Sequence, residues 1–203
     1  NGLVLIQGIV IADEFYEAAK RSVDFIQACI FPGSCIPSVG ALVSAAGAIG
    51  SVQVLELSGI GDPAVLSKLR ELAPDVFLVV SYGEILRAEF LALPKVVSLN
   101  VHPSLLPRHR GATPVPAAIL AGDELTGVAI QKVAKELDAG DLLLVRETPI
   151  RAGETSGELL TRLAEWSGEL VLEALALVDS GRALYTPQEH AHATYCKKLT
   201  KEH

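Results

Sequence analysis

The chain has 203 residues, half of them hydrophobic, a fifth charged and 5% aromatic, with a formal net charge of −7. That is a globular composition with a largely aliphatic core, and its sign excludes a protein that holds nucleic acid by charge alone, because such binding relies on Lys and Arg to displace phosphate counterions. Three cysteines, Cys29, Cys35 and Cys196, without C-x-x-C spacing exclude a zinc ribbon and suit a reducing, cytoplasmic setting.

Residues 2–12 are apolar but lack a basic start and run into Asp13 and Glu14, so no signal peptide is expected, and no apolar run is long enough to span a membrane. Residues 3–6 read as a buried strand and 13–22 as a helix with acids in its first turn. Residues 27–31 read as a second strand closed by Pro32-Gly33, 39–48 as a helix of small residues and 52–57 as a third strand. Asp62 stands as an N-cap with Pro63 at the first helical position, ahead of a helix over 64–72. Residues 76–80 (V-F-L-V-V) and 96–101 are apolar runs of the kind found inside a parallel sheet.

This alternation predicts right-handed crossovers and an open, mostly parallel, Rossmann-like α/β sheet. The second half differs. Residues 127–133 and 142–148 read as strands around a glycine-containing turn, which predicts an antiparallel or mixed edge. A long amphipathic helix is expected over 156–179, with Leu163, Trp166, Leu170 and Leu177 on its apolar face and Gly181 at its end. The polar stretch 182–203, with Pro187, three histidines and Lys197-Lys198, reads as a connector. The expected organisation is one domain over residues 1–185 and a linker over 186–203.

In an open α/β sheet, ligands gather beyond the carboxyl ends of the strands. The strand 96–101 ends in Asn100-Val101-His102, so an amide and an imidazole project to one side. Pro103 and Pro107 stiffen the loop that follows. Further on, Asp138 and Asp141 flank Ala139-Gly140 in a turn between strands. An amide, an imidazole and a carboxylate together can polarise a carbonyl, stabilise an oxyanion and move protons from an attacking amine, but only a fold can bring Asp138 to His102. His109, His190, His192 and His203 read as satisfied polar groups, Asp141 as a turn residue, and Trp166 and Cys29 as core. Arg108 and Arg110 read equally well as a solvated loop face and as contacts to phosphate or a ligand tail.

At these residues the chain resembles the folate-dependent formyltransferase family. Residues 98–111 (S-L-N-V-H-P-S-L-L-P-R-H-R-G) carry that family's N-x-H pair and S-L-L-P loop. Residues 137–141 (L-D-A-G-D) match its catalytic aspartate in context, residues 122–150 follow its pattern, and 79–86 (V-V-S-Y-G-E-I-L) are similar to its upstream folate-pocket segment. The resemblance implies catalysis by Asn100, His102 and Asp138, with 10-formyltetrahydrofolate supplying the formyl carbon and no metal. It implies a folate pocket lined by Tyr82, Gly83, Ile85, Ser104, Leu105, Leu106, Pro107, Leu137, Ala139, Gly140 and Asp141, with Arg108 and Arg110 towards the acceptor.

The ending Ala193-Thr194-Tyr195-Cys196-Lys197-Lys198-Leu199-Thr200-Lys201-Glu202 resembles the branch that formylates initiator methionyl-tRNA. That branch implies a monomer that holds tRNA through a local patch and a further C-terminal domain. The branch's basic loop after the second strand has no counterpart, since no Lys or Arg lies between Arg21 and Lys68. The same chemistry on a nucleotide amino sugar, the family's formyl-folate hydrolase and dehydrogenase branch, and an inert folate-binding remnant are the alternatives.

Overall fold

The computed structural model describes residues 62–82 and 86–197 in full, together with the backbone of strands at 3–7 and 28–29. The chain divides into two compact units, Asn1–Asn100 and Val101–His203. The helices expected over 13–22 and 39–48 and the strand over 52–57 lie outside the described residues.

In the first unit, β1 (Leu3–Gln7) pairs in parallel with β2 (Ala28–Cys29) on one side and with β3 (Val76–Val80) on the other. β4 (Val97–His102) follows next to β3, giving the order β2-β1-β3-β4. All five residues of β3 are buried, as a strand covered on both faces requires. Helix α1 (Pro63–Leu72) begins as its sequence dictates. Asp62 accepts a hydrogen bond from the Ala64 N–H at 2.9 Å, Pro63 occupies the first turn, and Val65, Leu66 and Leu69 form the buried stripe. The short helix α2 (Ala88–Leu91) buries Phe90, whose ring stacks on Phe77 at 4.7 Å between centroids.

The second unit takes the last residues of β4, followed in the sheet by the strands at Leu125–Lys132 and Leu142–Pro149. β6 (Leu125–Lys132) and β7 (Leu142–Pro149) pair antiparallel, which is the expected change of character. In chain order β5 (Arg110–Gly111) and the helix α3 (Pro114–Leu120) come between β4 and β6. Helix α4 (Ser156–Asp179) starts at a capping box. Thr155 Oγ1 accepts from the Glu158 N–H while the Glu158 carboxylate accepts from the Thr155 N–H. Its buried face, Leu159, Leu163, Ser167, Leu170, Val171 and Ala174, packs on β6, β7 and α3. Trp166 departs from the core expectation. It is half-exposed, with the Arg162 guanidinium 5.7 Å from its ring centre. Among the described residues, no helix is long and apolar enough to cross a membrane.

The polar stretch read as a connector is bound to the second unit as far as it is described. Thr186 and Leu142 exchange backbone hydrogen bonds at 2.8 and 2.9 Å, and Gln188 is buried. After a 3-10 turn (His190–His192), β8 (Tyr195–Cys196) pairs in parallel with β5.

Candidate functional site

β4 ends on Asn100 and His102, two residues apart and so directed to one side of the strand. Asn100 is half-buried, and His102 is buried. The loop after them closes on itself. The Ser104 N–H donates to the His102 carbonyl at 2.9 Å, the Ser104 hydroxyl to the Arg108 carbonyl at 2.7 Å, and the Arg108 N–H to the Leu105 carbonyl at 3.0 Å. It ends at His109, whose backbone is left-handed (φ 56°). The His109 carbonyl lies 2.9 Å from His102 Nε2. A carbonyl only accepts, so Nε2 carries the hydrogen, and in the neutral ring the lone pair resides on Nδ1.

Nδ1 lies 3.7 Å from Asp138 Oδ2. The turn far along the chain therefore folds back to His102. The distance is too long for a hydrogen bond and short enough for ion pairing once the ring is charged. Asp138 has a left-handed backbone (φ 48°). Its Oδ2 accepts from the Gly111 N–H at 2.8 Å and its Oδ1 from the Gln131 amide at 3.1 Å. Burial holds the His102 imidazole below its usual value; the Asp138 carboxylate works in the opposite direction, as does the His109 carbonyl.

Behind Asp138 lies a group of buried polar side chains. The Gln188 amide nitrogen is within 3.0 Å of Gln131 Oε1, 2.9 Å of the Asp138 carbonyl and 2.7 Å of the Gly140 carbonyl. Gln188 Oε1 accepts from Arg110 Nε at 3.2 Å and Nη2 at 2.7 Å. The loop-face reading of Arg110 is thus corrected. It is 1% exposed, and its guanidinium is spent on Gln188, Tyr195 and His190. Arg108 does face solvent, paired with Asp123. Asp123 also accepts from the buried His109 ring at 2.7 Å. Burial works to raise the Asp123 carboxyl, but the hydrogen bonds from His109 and Arg108 outweigh it and hold the group below its usual value.

Of the predicted folate-pocket residues, Ser104, Leu106 and Gly140 are buried, Leu105, Pro107, Ala139 and Asp141 are half-buried, and Leu137 is exposed. Tyr82 is half-buried just beyond β3 in the first unit, and Gly83 and Ile85 lie outside the described residues. Gly140 has a steric reason to be glycine, since a Cβ there would meet the Lys132 carbonyl oxygen at 1.9 Å. A cleft of about 520 Å³ adjoins the far end of the loop, lined by Arg108, His109, Thr194, Tyr195 and Lys197 among others, and neither His102 nor Asp138 lines it. The sequence reading names His109 as a satisfied polar group, which its bond to Asp123 makes it, and passes over Gln131, Gln188 and Asp123. A polar Gln inside the apolar run of β6 was the one signal available.

Residues 38–175 match the family described as Formyl transferase. Among curated proteins, a methionyl-tRNA formyltransferase of Treponema pallidum is 42% identical over 160 residues, covering 79% of this chain and 50% of the relative. One from Nitratidesulfovibrio vulgaris is 44% identical over 140 residues, covering 69% and 42%. The chain spans about half the length of these relatives. Among solved structures, methionyl-tRNA formyltransferase from Clostridium thermocellum aligns with a TM-score of 0.66 at 16% identity, covering 100% of this chain and 74% of that one. HypX from Aquifex aeolicus in complex with tetrahydrofolic acid aligns at 0.61 and 21%, covering 98% and 30%. At these identities the structures bear on the fold, which they share with this chain.

Proposed function

We propose, since this chain belongs to the formyl transferase family, that it carries the formyl-transfer chemistry of an enzyme acting from 10-formyltetrahydrofolate on the amino group of initiator methionyl-tRNA. The observation that supports it most is the approach of Asp138 to His102, 3.7 Å across 36 positions of sequence, beside an Asn two residues earlier on the same strand. The relatives named for that reaction support the acceptor, as does the A-T-Y-C-K sequence of residues 193–197.

The formyl donor supplies a carbon already at the oxidation level of the product. The chain's task is to hold, orient and move a proton. The Asn100 amide donates to the formyl oxygen as negative charge develops there, a contact worth about 3 kcal/mol in comparable sites. His102 takes the proton of the attacking amine on Nδ1, the nitrogen its His109 contact leaves unprotonated, and returns a proton to the donor's nitrogen as the bond between that nitrogen and the formyl carbon breaks. Asp138 stabilises the imidazolium that results and fixes the ring's orientation. Among the described residues the half-buried Leu105, Ala139 and Asp141 edges suit a flat ring with hydrogen-bonding margins. Arg108, exposed, is the better placed of the two arginines to meet an acceptor's phosphate.

The test is formylation of charged initiator tRNA by the whole protein with Asn100→Ala and Asp138→Ala, folding being checked by thermal unfolding. The expected loss is about 10²- to 10⁴-fold in kcat for each. Folded variants that retain near-normal turnover overturn the assignment.

A further inference from the structure

We propose that Gln188, braced by the buried Arg110, is a positioning residue that holds the Asp138 turn in its working geometry; this rests on the role for Asp138 proposed above. The side chain sits 50 residues beyond Asp138, in the stretch that reads as a connector, and is 5% exposed.

Both ends of its amide are committed. The oxygen takes two donors from Arg110, and the two hydrogens of the nitrogen are shared among two backbone carbonyls of the Asp138 turn and the oxygen of Gln131. Turning the amide over would set N–H against guanidinium and oxygen against carbonyls, so the orientation is fixed by its partners. Gln131 is fixed in turn. Its oxygen faces Gln188, so its amide nitrogen is aimed at Asp138 Oδ1, 3.1 Å away. The series starts at a guanidinium, which only donates, and ends at a carboxylate, which only accepts. Each link therefore has one direction. It also braces a turn in which Asp138, a non-glycine residue, is left-handed at φ 48° and is held there by its surroundings.

A satisfied buried glutamine with no bearing on the reaction would have the same contacts, so the test must separate the two. Gln188→Ala removes both sets of bonds. Gln188→Glu keeps an acceptor for Arg110 but sets a carboxylate oxygen against the Asp138 and Gly140 carbonyls, and it decides the question if the alanine variant does not fold. Single-turnover rates of the whole protein, with enzyme in excess, are compared in the wild-type and Asp138→Asn backgrounds.

For the Gln188 variants, the rate in the wild-type background is expected to fall about 30- to 100-fold with KM for the formyl donor moving less than about 3-fold, the scale of loss seen when a reacting group is displaced by an ångström. In the Asp138→Asn background the same substitution is expected to cost less than about 3-fold, because its effect runs through a group already disabled. Equal losses in both backgrounds, or a rate held at the wild-type value in folded protein, overturn the positioning role alone. A wild-type rate for Asp138→Asn by itself overturns the role of Asp138 and this proposal with it.

Discussion

Two turns of the second unit each present a carboxylate after a strand of the same antiparallel pair, and they use it in opposite ways. Glu154, after β7, receives the Arg162 guanidinium side-on, with Nε and Nη2 each 2.8 Å from a carboxylate oxygen, and also the Arg151 N–H at 2.9 Å. Arg162 spends its remaining donors on Thr148 and on the Pro149 carbonyl. The Arg162 hydrogen bonds hold the Glu154 carboxyl below its usual value. Asp138, after β6, has a buried arginine nearby too, but Gln188 takes that guanidinium; the Gly111 N–H and the Gln131 amide donate to the Asp138 carboxylate while an imidazole faces it. A carboxylate closed on a cation is a fastening. One held by neutral donors beside a histidine keeps its charge available to a proton arriving on that ring.

The sharpest way to break this comparison is through the turns themselves. At Gly140 an added methyl would lie 1.9 Å from the Lys132 carbonyl oxygen, in a turn where the Lys132 N–H also bonds the Asp141 carbonyl. Gly153, beside Glu154, is left-handed (φ 76°) but has no neighbour within 4 Å of such a methyl. Gly140→Ala is therefore expected to cost about 3 kcal/mol of stability, as overpacking against fixed backbone does, and Gly153→Ala about 1 kcal/mol for its backbone conformation alone. Urea unfolding of both variants checks this, and similar losses would mean that the two turns are equally yielding. A smaller effect is expected from Arg162→Leu, about 2 kcal/mol, since it strands a largely buried carboxylate at a turn that water can reach, while kcat in the folded protein stays unchanged. Because Glu154 is depressed in the folded state, this contribution is present above the unfolded value of 4.5 and is lost as pH falls through the folded one. A loss of kcat on this substitution would put Glu154 in the site and erase the distinction.

Much of the frame was legible because local rules agreed. Asp62-Pro63 and the spacing of Leu66 and Leu69 mark α1, the run V-F-L-V-V marks β3, and the periodicity of residues 156–179 marks α4 to its last residue. What escaped depends on distant partners or on elements too short to carry a period. The seven residues of α3 contain two prolines, which read as breakers although Pro114 stands where a helix start tolerates one. β5 and β8 have two residues each and exist because each pairs with the other. Arg110 has a side-chain type that reads as solvated, and its burial follows from Gln188, 78 residues away. Trp166 sits at an apolar position of α4 yet stays half-exposed against Arg162. The pairing of Asp138 with His102 was reachable only through the resemblance, since spacing along the chain sets no distance between a strand end and a later turn.

The smallest effect, and the one that tests the chemistry most directly, is the pH dependence of folding contributed by His102. Burial lowers its imidazole below the ordinary 6.5, the facing Asp138 carboxylate and the His109 carbonyl oppose this, and the charges of the His109 ring and of Arg110 act with the burial. Between the lowered folded value and 6.5 the unfolded chain binds a proton that the native state refuses. Stability therefore rises with pH through that window and levels off above it. Glu154 and Asp123 titrate in a separate, more acidic range, below their ordinary values of 4.5 and 3.8. Urea midpoints followed from about pH 5 to 7.5 should thus climb, and the climb should shrink in His102→Gln. A midpoint that instead falls as pH rises through 6.5 would mean an imidazolium already paired with Asp138 in the resting protein. Such a ring could donate to substrate but could not take the amine proton, and the base would have to be sought elsewhere.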